Sequence, residues 1–149
     1  RFQDHADSIS AACLKVKSGL SKIDSQIKQE CSQFTDPGII TYHNSFGHFI
    51  QDYGITHLAS VQSAPGKEPT PRELGELGNL IKTRGVKAIF VEPQMSQKSA
   101  EVLAREFGLK ILILDPVGNS LGASTISEFL LSNWKIMKLG LEPGLTAKK

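Results

Sequence analysis

A chain of 149 residues with 40% hydrophobic and 21% charged residues suits one domain of ordinary size with a real core. A net charge of +2 makes no electrostatic case for nucleic acid, and no apolar run reaches the ~18 residues of a membrane span. The opening RFQDHADSISAACL lacks a signal-peptide pattern and starts at Arg1 rather than Met, which reads as a processed or partial chain.

The first segment reads as one long amphipathic helix. Phe2, Ile9, Cys13, Val16, Leu20, Ile23, Ile27, Cys31 and Phe34 recur at spacings of three, four and seven, with polar residues between them. Gly19 weakens this pattern without breaking it, and TDPG (35–38) ends it. Such a helix runs ~45 Å, long enough to bridge two bodies. Cys13 and Cys31 share its apolar stripe. At ~1.5 Å per residue they sit ~27 Å apart, too far for a disulfide, so both are expected as buried free thiols.

After the turn, strand and helix alternate. GIITYH (38–43) is a β-rich run, SFGHFIQDYG (45–54) a short helix, and THLASVQS (56–63) a second strand. A Pro- and Gly-rich loop leads to a helix over 71–85, where Thr70, Pro71 and Glu73 form a start signal. VKAIFVE (86–92) is the third strand and SQKSAEVLAREFG (96–108) the next helix. LKILILD (109–115) is apolar enough to be buried on both faces. The last helix spans 125–141, with Thr125 and Glu128 at capping-box spacing. This alternation predicts an α/β fold: a three-layer, Rossmann-like lobe with a four-stranded parallel sheet and right-handed crossovers, behind a long leading helix.

Ligands of open parallel sheets sit beyond the carboxyl ends of the strands. Those ends carry His43, Ser63, Glu92 and Asp115. Proline follows both acids, in VEP and LDP, and turns the chain out of the sheet, so both carboxylates are expected at the rim. A His with one or two carboxylates suits a borderline metal ion. Each residue also has an ordinary reading, since acids at strand ends cap helices and a lone His is often a hydrogen-bonded structural residue. His48 turns ~140° from His43 on the following helix and reads as partly exposed or packed. His5 and His57 read as structural or solvated. GNSLGAS (118–124) has no GK[ST], so it is not a phosphate loop. Ser63 runs into a Pro/Gly loop rather than the strained turn of a hydrolase nucleophile.

ITYHNSFGHFIQDYGI (40–55), GKEPTPRELGELGNLIK (66–82), KAIFVEPQMSQKSAEVLAREFGLKILILDPVG (87–118) and a last helix containing SNW together resemble the C-terminal lobe of solute receptors for zinc and manganese ABC importers. The resemblance covers nearly the whole chain. It implies residues 1–35 as an inter-lobe linker helix and 36–149 as the metal-binding lobe, with the N-terminal lobe lacking. It implies metal capture outside the cytoplasmic membrane and delivery to a permease, without catalysis. The YH and LDP motifs map the metal ligands to His43 and Asp115. Histidine at the first position favours Zn2+ over Mn2+, and Glu92 matches a recurrent residue beside the site, with a supporting role. His48 stands where the family usually has an aromatic, which reads as a packing change. Two ligands cannot close a tetrahedral zinc site, so the other lobe must supply the rest. The exposed stripe of the leading helix implies self-association of the chain. The alternatives are a small α/β metal-dependent hydrolase using His43 and Asp115, a manganese-specific receptor, and an adhesin of the same family.

Overall fold

The computed structural model describes residues 5–64, 66–95, 98–118, 120 and 122–142. Its elements are α1 (Ala6–Cys31), β1 (Gly38–Thr41), α2 (Gly47–Asp52), β2 (Thr56–Ser60), α3 (Pro71–Arg84), β3 (Ala88–Val91), α4 (Lys98–Phe107), β4 (Lys110–Ile113) and α5 (Ile126–Leu141). The elements anticipated from the sequence are present, with strands two or three residues shorter. Residues 96 and 97, expected to open the fourth helix, lie outside the described residues, as do Phe2 and the terminal lysines.

All strand pairs are parallel, in the order β2-β1-β3-β4. Side chains alternate across this sheet. Ile39 and Phe90 join a core with α1, α2 and α5, whereas Ile40, Ile89 and Val91 join one with α3 and α4. These are the three layers. The winding reverses after β2, and crossovers of one hand then carry α3 and α4 to the opposite face. The reversal makes the junction of β1 and β3 the switch point of the sheet.

Local signals fix the helix ends. Thr70 and Glu73 form a complete capping box with Pro71 at the first helical position, and Gly85 closes α3 at φ 63°. Thr125 and Glu128 form the same box on α5. Two expectations need correction. Strand β4 is not buried on both faces: it lies at the sheet edge, its residues are half-buried, and Ile113 is 42% exposed. Only β3, inside the sheet, is buried throughout. Cys31 is buried but Cys13 is exposed, because every residue from His5 to Ser18 projects beyond the lobe. Burial of α1 begins at Ile23 and continues through Ile27 and Cys31.

The two ends of the fold are tied together at Glu30. Its carboxylate accepts hydrogen bonds from Trp134 Nε1 and Lys138 Nζ, each at 3.0 Å, and so joins α1 to α5.

Candidate metal half-site

β1 ends at Thr41, two residues before His43. Tyr42 is still held by the sheet, its amide donating to Phe90 O at 2.6 Å and its carbonyl accepting from Gln62 N. His43 is therefore the first residue free of the ladder, at the switch point, and its side chain is 32% exposed. Glu92 is the first residue after the neighbouring strand β3 and is buried. The two meet through Ser45. The Ser45 hydroxyl donates to Glu92 Oε1 at 2.6 Å, and Ser45 Oγ lies 3.1 Å from His43 Nδ1. His43 Nδ1 and Glu92 Oε1 are 3.7 Å apart.

Asp115 follows β4 and departs from the expectation of an open carboxylate at the rim: it is 1% exposed. Beyond Leu114, whose amide still reaches Val91 O, the ladder stops. Asn133 of α5 takes over. Its Oδ1 accepts the Asp115 amide at 2.9 Å, and its Nδ2 donates to the Asp115 carbonyl at 3.0 Å. The carboxylate turns into its own loop. Oδ1 accepts from the amides of Val117 and Gly118, both at 2.9 Å, and Oδ2 accepts from the amide and hydroxyl of Ser120. Burial opposes the charge, but the bonds from Ser120, Val117 and Gly118 outweigh it and hold the pKa down at about 2. Proline at 116 turns the chain, as read; the loop then folds back over the acid.

The structure thus joins His43 to Glu92 and leaves Asp115 occupied by its loop. Among the described residues, no three His, Cys, Asp or Glu side chains group closely enough to hold a metal. Ser63 lies in an exposed bend beyond β2, whose ladder bonds end at Gln62. His57 Nε2 lies 3.0 Å from Thr41 Oγ1 and 3.4 Å from Ser60 Oγ, a structural role, and burial lowers its pKa. His48 is exposed rather than packed, and with Gln51 and His57 it lines a cleft of about 680 Å³ beside α2. His5 is exposed before α1. In a serine hydrolase the histidine stands between serine and acid. Here the serine stands between histidine and acid, so its proton is committed to Glu92.

Sequence reasoning missed three residues that shape the site. Ser45 was visible two places after His43, but a serine at a helix start has many ordinary roles. Asn133 lay in SNW, and nothing in the spacing linked it to Asp115. Ser120 lay in a glycine loop read only for phosphate binding.

Sheets wound in this way take their ligands at the carboxyl edge, and there this chain carries an imidazole and buried acids. Residues 2–138 match the family model of the zinc-uptake complex component A, periplasmic (ZnuA), and the chain belongs to that family. It is 27% identical over 116 residues to the zinc-binding protein AdcA of Streptococcus pyogenes, covering 78% of this chain and 22% of that protein. It is 28% identical over 102 residues to the high-affinity zinc uptake system protein ZnuA of Haemophilus ducreyi, covering 68% of this chain and 33% of that one. The chain therefore spans about a fifth to a third of the length of these relatives. Among solved structures, a crystal structure of ZnuA superposes with a TM-score of 0.81 at 24% identity, over 94% of this chain and 50% of that one. The laminin-binding protein Lmb of Streptococcus agalactiae gives 0.82 at 23% identity, over 94% and 55%. At these identities the superpositions establish the fold.

Proposed function

We propose that this chain is the C-terminal lobe, with its linker helix, of an extracytoplasmic receptor that captures zinc and passes it to an ABC-type importer. The observation that carries the reading is His43, released from the sheet at the switch point of a chain whose family and relatives are named for zinc. An imidazole nitrogen is a preferred zinc donor, and manganese favours oxygen. Asp115 is the second ligand from this lobe. All four of its lone-pair positions are taken by loop donors, so zinc must displace at least one, and the Ser120 hydroxyl is the one that can rotate away. Zinc sites in proteins are tetrahedral, so the remaining ligands come from a partner lobe across the carboxyl edge. Residues 1–35 are the linker between the lobes, and 36–149 the lobe itself. The role is capture and release without turnover, in the periplasm or on the cell surface; no described helix is long and apolar enough to cross a membrane.

Calorimetric titration of zinc tests the reading. The chain is expected to bind weakly, with His43→Ala abolishing the heat. Binding unchanged by His43→Ala removes His43 from the site. Turnover of an ester or amide substrate lost in His43→Ala moves the assignment to a hydrolase.

A further inference from the structure

We propose that Ser45 is a positioning residue for the metal site: with Glu92 it holds His43 in the Nδ1–H tautomer, so that Nε2 is the atom offered to the metal. The inference rests on the zinc reading of His43 and adds the atom and its control.

The argument is an accounting of protons. A carboxylate only accepts hydrogen bonds, and a hydroxyl has one proton to give. Ser45 Oγ lies 2.6 Å from Glu92 Oε1, so the hydroxyl proton goes to Glu92. What Ser45 turns toward His43 Nδ1, at 3.1 Å, is then a lone pair. Nδ1 must carry the proton that fills it. Glu92 Oε1, 3.7 Å from Nδ1, favours a proton there by its charge as well. A neutral imidazole protonated on Nδ1 has its lone pair on Nε2, and a lone pair is what a metal takes. Metal-bound histidines usually direct the second ring nitrogen to a carboxylate or other acceptor, which fixes ring and tautomer. Here the acceptor reaches the ring through a hydroxyl. Glu92 is buried, whereas His43 keeps an exposed edge. Ser45 itself is held locally, its amide donating to the His43 carbonyl at 3.1 Å.

The test is long-range proton–nitrogen NMR on the histidine-15N-labelled chain at a pH where the imidazole is neutral. The metal-free wild type is expected to show His43 as Nδ1–H. Free histidine side chains prefer Nε2–H, so Ser45→Ala is expected to move His43 toward that form, and Ser45→Thr, which keeps the hydroxyl, to restore Nδ1–H. An unchanged amide spectrum verifies that both variants fold. Adding zinc alone should shift the Nε2 resonance, and Ser45→Ala should weaken zinc binding about tenfold in a chelator competition. An Nε2–H wild type, a Ser45→Ala tautomer identical to the wild type, or a zinc-induced shift at Nδ1 each overturns the proposal. A clear Nδ1–H wild type that Ser45→Ala alters supports the relay even where zinc leaves all resonances unmoved; that result would sink the zinc reading alone.

Discussion

On the receptor reading, Asp115 has two tasks that compete for the same oxygens. It is the structural keystone of its loop, accepting four hydrogen bonds, and it would also be the carboxylate offered to a metal. Asp115→Ala orphans three backbone amides and should cost about 2 kcal/mol, seen as a lower urea midpoint. Asp115→Asn keeps one acceptor and should cost less. A loss of zinc binding in Asp115→Ala is therefore interpretable only beside the urea curve, whereas His43, partly exposed and bonded through one ring nitrogen, can be replaced with little effect on stability. Ser120→Ala removes one competitor for Oδ2 without touching the backbone. It should tighten zinc binding if displacement of that hydroxyl opposes capture, and titration against the wild type reads this directly.

Helix α3 holds two glycines with opposite predictions. Gly75 faces open space, so Gly75→Ala should stabilise by about 0.5–1 kcal/mol through helix propensity and a less mobile unfolded chain. At Gly78 a Cβ would collide with the Phe107 ring of α4, so Gly78→Ala should destabilise by about 1–3 kcal/mol despite the same propensity gain. Thermal melts of the two variants decide this. Between α1 and α5 the prediction concerns acid. Hydrogen bonds from Gln26, Lys138 and Trp134 lower the Glu30 pKa from 4.5 to about 2. A pKa depressed by folding gives stability that is complete above the unfolded value and lost as pH falls from about 4.5 toward 2. Solvent reaches one side of the cluster, and screening limits the effect to about 1 kcal/mol. Glu30→Gln should flatten the stability profile over that window, with Trp134 fluorescence as the reporter.

At the scale of the whole molecule, α1 is half inside and half outside. Ile9 is 60% exposed and Val16 53%, on a stretch that no other described element covers. On the receptor reading, that stretch is the seat of the other lobe; alone in water it should self-associate. Sedimentation is expected to show concentration-dependent association that Ile9→Lys with Val16→Lys abolishes. A wild type monomeric at high concentration would contradict it.

The sequence by itself determined the order and type of the elements, because hydrophobic period, capping boxes and turn residues are local signals. It placed His43, Ser63, Glu92 and Asp115 at strand ends, since a parallel α/β alternation puts all those ends on one edge; the strands themselves stop one to three residues earlier. Only the tertiary structure decided how each residue is held there. Strand order put β4 at an edge, which no hydropathy pattern of LKILILD reports. The projection of α1 exposed Cys13, although its stripe is continuous with the buried Cys31. The bonds that define the site, Ser45 to Glu92 and Asn133 to Asp115, span 47 and 18 positions. Side-chain hydrogen bonds across such separations depend on angstrom-scale placement by packed elements, and periodicity carries no record of it.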